Sequence, residues 1–176
     1  MKTREIAYIG LCTALIAVCS WISIPLTVPI TLQTFAIFLT VALLGLKNGT
    51  ITVLVYILLG AIGLPVFSGF KSGAAVLLGT TGGYIIGFLF SAIVVGLILK
   101  FFGKSTLVMF ISMIIGLIVC YIFGTIWFMI VYMKNTGDIG LVSVLSWCVI
   151  PFIIPDIIKI ILAIILYKPL SKELIK

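Results

Sequence analysis

The sequence predicts an all-α membrane protein built as one bundle of six transmembrane helices. Of its 176 residues, 64% are hydrophobic and only 9% are charged. The apolar residues also fall into long runs separated by short polar or glycine-rich breaks. Each transmembrane helix needs about 20 apolar residues, so a chain of this length has room for about six. Residues 1–176 are therefore expected to form a single integral membrane domain.

The first predicted span covers residues 6–24 and follows two cations near the N-terminus. It is longer than the apolar region of a signal peptide and no polar domain follows it, so a spanning helix is favoured. Gly10, Ala14 and Ala17 recur at helical spacing, which gives this helix a strip of small residues where another helix can approach closely. That second helix belongs either to this chain or to a partner subunit.

Two segments interrupt the helical pattern. Residues 23–34 contain two prolines and no charge, which predicts a loop buried in a protein cavity, where the Gln33 amide needs hydrogen-bond partners. Residues 60–87 hold eight glycines together with Pro65. Some of these glycines are explained by close helix packing. Their clustering beside a proline indicates that the others shape a re-entrant or cavity-lining loop.

The remaining spans are predicted at residues 35–46, 50–64, a stretch ending near 102, 107–133 and 142–167. Lys47-Asn48-Gly49 is a turn signal between the second and third spans. Pro151 and Pro155 interrupt the sixth span. Broken helices near a binding site are a recurrent feature of transporters.

The distribution of lysine and arginine predicts that both termini are cytoplasmic. With that orientation, eight cations lie inside: Lys2, Arg4, Lys47, Lys100, Lys104, Lys168, Lys172 and Lys176. Only Lys71 and Lys134 lie outside. The predicted location is the plasma membrane, with the loops after spans one, three and five on the outer face.

Asp156 and Lys159 are the two charged residues that sit well inside an apolar run. In a helix that begins near Pro155 they are one turn apart on the same face, close enough to form an ion pair. A charge at bilayer depth costs several kcal/mol unless it is paired or hydrated, which makes the pair a candidate for function. The alternative is a structural pair in which Asp156 caps the helix and Lys159 neutralises it.

Several function classes are not supported by the sequence. Histidine is absent and the four cysteines lack C-x-x-C spacing, which excludes common zinc and thiol-redox motifs. The glycine-rich segments match neither a phosphate loop nor a dinucleotide fingerprint. The net charge of +7 is scattered singly rather than forming a basic stripe, so nucleic acid is not an expected partner. We expect no catalytic residues, no metal and no cofactor.

Four motifs occur in an order and spacing that resemble one transporter family: Pro29-Ile-Thr-Leu-Gln-Thr34, Gly63-Leu-Pro-Val-Phe67, Gly79-Thr-Thr-Gly-Gly-Tyr84 and Pro155-Asp-Ile-Ile-Lys159. The family is BioY, the biotin-binding S components of energy-coupling factor (ECF) transporters. The resemblance covers nearly the whole chain. One departure is Thr80, where the family usually has proline.

The resemblance implies a six-helix membrane protein that captures biotin from outside and delivers it inward. It works with a transmembrane coupling subunit and two cytoplasmic ATPases, toppling in the membrane during transport. Hydrolysis then belongs to the partners, this chain is not an enzyme, and biotin is cargo rather than cofactor. In the family, small residues of the first helix contact the coupling subunit, a role that Gly10, Ala14 and Ala17 match.

The chemistry of biotin suggests roles for the charged pair. We expect Asp156 to accept from a ureido N–H and Lys159 to donate to a ligand oxygen, either ureido or carboxylate. Further polar candidates are Gln33, Thr34 and Thr81, and candidates for contact with the apolar part are Phe67, Tyr84 and Tyr121. An S component for another vitamin and a structural membrane protein without transport activity are the alternatives.

Overall fold

The computed structural model describes residues 2–175, with side chains as far as Lys172. Lys176, which was counted among the cytoplasmic cations, lies outside the described residues. The elements are α1 (Thr3–Trp21), β1 (Ser23–Ile24), β2 (Ile30–Thr31), α2 (Gln33–Ala61), a 3₁₀ turn (Ser68–Phe70), α3 (Ala74–Leu78), α4 (Gly82–Phe102), α5 (Thr106–Asn135), α6 (Leu141–Cys148) and α7 (Ile150–Ile175). β1 and β2 form a two-stranded antiparallel pair between α1 and α2.

The predicted all-α membrane fold is confirmed. Five helical stretches within residues 2–175 are long and apolar enough to cross a membrane: α1, α2, α4, α5 and the stretch Leu141–Lys172 formed by α6 and α7. Their outward faces are apolar. On α5, for example, Ile118, Ile122, Ile126 and Ile130 follow one another at helical spacing and are 50–57% exposed. Such a surface is suited to lipid rather than to water.

The second of these helices, α2, folds back on itself at Gly45, which has φ 75° and ψ −177°. Gln33 Nε2 donates to Tyr56 Oη at 2.7 Å, whereas 23 residues of straight helix would separate them by about 35 Å. The predicted second and third spans are therefore the two limbs of α2. Each of the six predicted segments is helical over most of its length, although residues 22–24 and 62–64 lie outside the helices. The membrane side on which the termini lie stays a prediction.

Two predicted breaks are in the wrong place. Lys47-Asn48-Gly49 is helical, and the chain reverses at Gly45 instead, because glycine adopts a positive φ without steric cost. A Cβ on Gly49 would lie 2.8 Å from the Cα of Val41, so Gly49 serves the contact between the limbs. In the sixth segment the helix breaks at Val149 (φ −128°, ψ −55°) rather than at a proline.

Both predicted roles of the glycine cluster are present. Gly63, Gly69 and Gly73 have positive φ and lie in the loop after α2. Gly60 and Gly83 instead allow close packing, because a Cβ there would lie 2.0 Å from the Phe67 ring and 2.2 Å from the Trp127 Cβ, respectively.

The bundle has two different ends. We call the end that carries residues 22–32, 62–81 and 136–140 the loop end. The opposite end, which we call the lysine end, carries the reversal of α2, the α4–α5 connection at 103–105 and the last turns of α7. A core of buried apolar side chains from all the long helices lies between them.

Candidate ligand-binding site

A cavity of about 610 Å³ opens at the loop end, beneath the loops that follow α1 and α2. Its walls come from α2, α4, α5, α7 and these two loops. All eight residues that the sequence suggested as ligand contacts lie on its walls: Gln33, Thr34, Phe67, Thr81, Tyr84, Tyr121, Asp156 and Lys159. The structure thus brings them together, while their roles in binding stay predictions.

Asp156 and Lys159 form a buried ion pair on one face of α7. Lys159 Nζ donates to Asp156 Oδ1 at 2.7 Å, and the two residues are only 1% and 5% exposed. The helix does not begin near Pro155, as predicted: α7 begins at Ile150, and Asp156 lies nearly two turns inside it, which makes the alternative capping role wrong. The pair is therefore held by a continuous helix, with its spacing set by the i, i+3 geometry.

Two further helices contribute hydrogen bonds to Asp156. Thr34 Oγ1, in the first turn of α2, donates to Oδ1 at 2.9 Å. Tyr121 Oη, on α5, donates to Oδ2 at 2.5 Å. A carboxylate offers about four acceptor positions and an ammonium three donors. The pair therefore keeps both accepting and donating capacity for a ligand.

Gln33 connects the two loops through hydrogen bonds and is not an unpaired side chain in the cavity. Its Oε1 accepts from Thr31 Oγ1 at 2.9 Å, and its Nε2 donates to Tyr56 Oη at 2.7 Å. Tyr56 Oη in turn donates to the carbonyl of Val66 at 3.0 Å. The predicted need of the Gln33 amide for partners is met within the protein, which leaves one N–H for a ligand.

The end of α1 holds the second loop in place over the cavity. Trp21 Nε1 donates to the carbonyl of Pro65 at 2.9 Å, and the Trp21 ring stacks on Phe70 with centroids 4.9 Å apart. Phe70 has a φ of 57°, which is uncommon for a bulky residue. Sequence reasoning missed these contacts. A tryptophan next to a proline-rich loop was the available signal.

Aromatic side chains form the apolar walls. Phe67 is buried against Gly60 and meets the Tyr56 ring edge-on, with centroids 5.6 Å apart. Tyr84 Oη lies 3.2 Å from Thr125 Oγ1, and its ring packs against Gly124. Several further wall residues were not predicted from the sequence: Val28, Lys71, Ile85, Phe88 and Phe152. The spacing of 84, 85 and 88 on α4 is the helical pattern that predicts one shared face.

The three small residues of the α1 strip differ in exposure. Gly10 and Ala14 are exposed, and a Cβ on Gly10 would meet nothing within 4 Å. Ala17 is only 6% exposed, so its assignment to a partner surface is corrected. It lies on the face of α1 that packs against α2, where Thr13 Oγ1 approaches the carbonyl of Thr52 at 3.5 Å. The turn of the helix carries Ala17 away from Ala14 and into the core.

Comparison with known proteins finds relatives along the whole chain. The BioY family matches residues 1–176. The biotin transporter BioY of Thermotoga maritima is 42% identical over 171 residues, which cover 96% of each chain. The probable biotin transporter BioY of Pyrococcus horikoshii is 37% identical and covers 97% of this chain and 98% of its own. A crystal structure of the S-component for biotin from an ECF-type ABC transporter matches with a TM-score of 0.86 and 32% identity, over 98% of this chain and 95% of that one.

Proposed function

Because this chain belongs to the BioY family, we propose that it is the biotin-binding S component of an ECF importer in the plasma membrane. The observation that carries the proposal is the buried Asp156–Lys159 pair on the wall of a 610 Å³ cavity in an integral membrane protein. A buried ion pair is a poor source of stability, because the cost of removing both charges from water offsets their attraction. Its presence in an apolar helix therefore favours a role in binding.

The geometry of the pair favours the ureido group over the carboxylate as its partner. A cyclic urea presents N–H donors beside a carbonyl acceptor. One ligand group can therefore donate to Asp156 and accept from Lys159, whose Oδ1 and Nζ atoms are 2.7 Å apart. A carboxylate at the same place would face the negative charge of Asp156. The valeric carboxylate then points towards the loops, where Lys71 lies on the cavity wall. Phe67, Tyr84 and neighbouring apolar groups enclose the middle of the ligand.

Binding to the purified protein in detergent tests this function. We expect biotin to bind saturably with one molecule per chain, and mass spectrometry of protein purified from its membrane to detect retained biotin. Thiamin or riboflavin displacing biotin would favour an S component for another vitamin. The absence of saturable binding of any of the three vitamins would favour a structural membrane protein. Biotin that is released unchanged after prolonged incubation is expected of cargo. A substrate would be converted, and a covalently attached cofactor would not be released.

Transport requires partners in this proposal. A transmembrane coupling subunit and two cytoplasmic ATPases supply hydrolysis, and the exposed small residues Gly10 and Ala14 on α1 contact the coupling subunit. Ala14→Trp is expected to reduce co-purification with that subunit while biotin binding is retained, because a bulky ring blocks close helix approach. Ile122→Trp, on the exposed face of α5, is the matched control. If both variants co-purify equally well with the coupling subunit, α1 is not part of the interface.

A further inference from the structure

A second cavity lies at the lysine end, away from the ligand cavity. It is an open groove of about 720 Å³ between the start of α5 and the last turns of α7. Leu107, Phe110, Ile161 and Ile165 supply apolar walls. α5 and α7 run antiparallel, so Thr106, the first residue of α5, and Lys168, near the end of α7, lie together at the polar end of the groove.

The surroundings of Lys168 are cationic. Lys168 is exposed, and Lys104 Nζ lies 5.7 Å from the centroid of the neighbouring Tyr167 ring. Lys172 follows one helical turn after Lys168. Positions 94–112 and 160–172 together contain four lysines and no carboxylate, and the next acid along the chain is Glu173. The polar end of the groove is therefore complementary to an anion, while the rest of the groove is complementary to hydrocarbon.

The geometry points to a binding site for one anionic glycerophospholipid in this groove. The lipid phosphate lies beside Lys168 and the Thr106 hydroxyl, and one acyl chain runs along Phe110, Ile161 and Ile165. Basic pockets between transmembrane helices on the cytoplasmic side are suited to anionic headgroups. The positive-inside distribution predicts that this end faces the cytoplasmic leaflet.

The chemistry selects this occupant over two others. A zwitterionic lipid would place its own ammonium close to Lys168 and Lys104, which the surrounding positive charge disfavours. Free phosphate would satisfy Lys168 but leave the apolar walls to other molecules. A net-negative lipid uses both parts of the groove at once. The site is separate from the ligand cavity and does not depend on which vitamin that cavity takes.

Native mass spectrometry of the purified chain, titrated with phosphatidylglycerol or phosphatidylethanolamine of identical acyl chains, tests the proposal. We expect preferential retention of phosphatidylglycerol and a loss of about fivefold in its affinity for Lys168→Gln, since one lysine near the surface contributes about 1 kcal/mol. Lys134→Gln removes the same charge at the loop end and is expected to leave the affinity unchanged. Ile161→Trp narrows the groove while keeping every charge, and is expected to weaken phosphatidylglycerol binding.

Thermal unfolding of each variant in detergent checks that it is folded, and none of the three substituted residues lies on the ligand cavity. If Lys168→Gln and Lys134→Gln lose the same affinity for phosphatidylglycerol, the effect comes from net charge alone and the proposal is wrong. If millimolar inorganic phosphate displaces the lipid, the polar end of the groove is a site for a free anion and the lipid proposal is wrong. Unchanged lipid binding together with weaker co-purification of the coupling subunit for Lys168→Gln and Ile161→Trp would make the groove a protein interface.

Discussion

The two ends of the bundle turn the chain over different lengths: the lysine end reverses α2 at Gly45, whereas residues 62–81 connect α2 to α4 at the loop end. At the loop end, Gly63, Gly69 and Gly73 adopt positive φ and let the chain turn above the cavity. At the lysine end, Gly49 and Gly96 are helical and bring backbones together, and a Cβ on Gly96 would lie 2.8 Å from the Cα of Leu46. The short connections at the lysine end keep the helices close together there, whereas the longer connections at the loop end leave enclosed space beneath them. The ligand cavity follows from this asymmetry.

The two ends also use charge differently. At the loop end, the Asp156–Lys159 pair is buried and retains capacity for a ligand. At the lysine end, Lys104 Nζ donates to the carbonyl of Ala42 at 2.6 Å, at the end of the first limb of α2. Helix ends carry carbonyls without helical partners, so Lys104 acts as a cap for that limb. Partial burial of the ammonium group lowers the pKa of Lys104.

The largest expected effect is that of Asp156→Asn. We expect biotin affinity to fall at least tenfold, because the acceptor for a ureido N–H is lost. We also expect the free energy of unfolding to fall by about 3 kcal/mol, because Lys159 is left as a buried charge without a counterion. Titration of biotin and thermal unfolding in detergent measure the two effects.

The double variant Asp156→Asn/Lys159→Met separates binding from stability. It removes the unpaired charge, so most of the lost stability is expected to return while biotin binding does not. Wild-type affinity in the single variant would disprove the role assigned to Asp156.

At the lysine end, Gly96→Ala is expected to lower the free energy of unfolding by about 2 kcal/mol, because the added methyl group meets the backbone of Leu46 and forces two helices apart. Biotin affinity of the folded protein is expected to be unchanged. Gly10→Ala is the control, since a Cβ there meets nothing within 4 Å. Selective loss of biotin affinity in Gly96→Ala would contradict the division of roles between the two ends.

Tyr121→Phe tests the support of Asp156 at the loop end. The ring remains, but one hydrogen bond to the carboxylate is lost, and biotin affinity is expected to fall about fivefold, or about 1 kcal/mol. Tyr132→Phe, further along α5 and off the cavity wall, should bind biotin normally. If the two variants bind equally well, the Tyr121 hydroxyl does not contribute to the site.

The smallest expected effect is that of Lys104→Met. Loss of the hydrogen bond to Ala42 lowers stability by about 0.5–1 kcal/mol, and this loss is limited because burial already disfavours the lysine charge. Biotin affinity should not change. Lys47→Met removes an exposed lysine from the same end and is expected to leave the melting temperature unaltered. A drop in biotin affinity for Lys104→Met would indicate coupling between the ends.

Features that depend on neighbouring residues were determined by the sequence alone. Runs of apolar residues specified the membrane helices, because a bilayer requires a fixed length of hydrocarbon. The spacing of Asp156 and Lys159 specified their pairing, because a helix brings positions three apart together. The motifs that contain these residues also indicated the family.

Features that depend on distant parts of the chain were decided only by the tertiary structure. Thr34 and Tyr121 reach Asp156 from positions 122 and 35 residues away, and no local pattern specifies such contacts. The reversal at Gly45 and the inward position of Ala17 depend likewise on which helices meet. The periodicity of the sequence predicts which residues share a face of a helix, but the packing of whole helices decides what that face contacts.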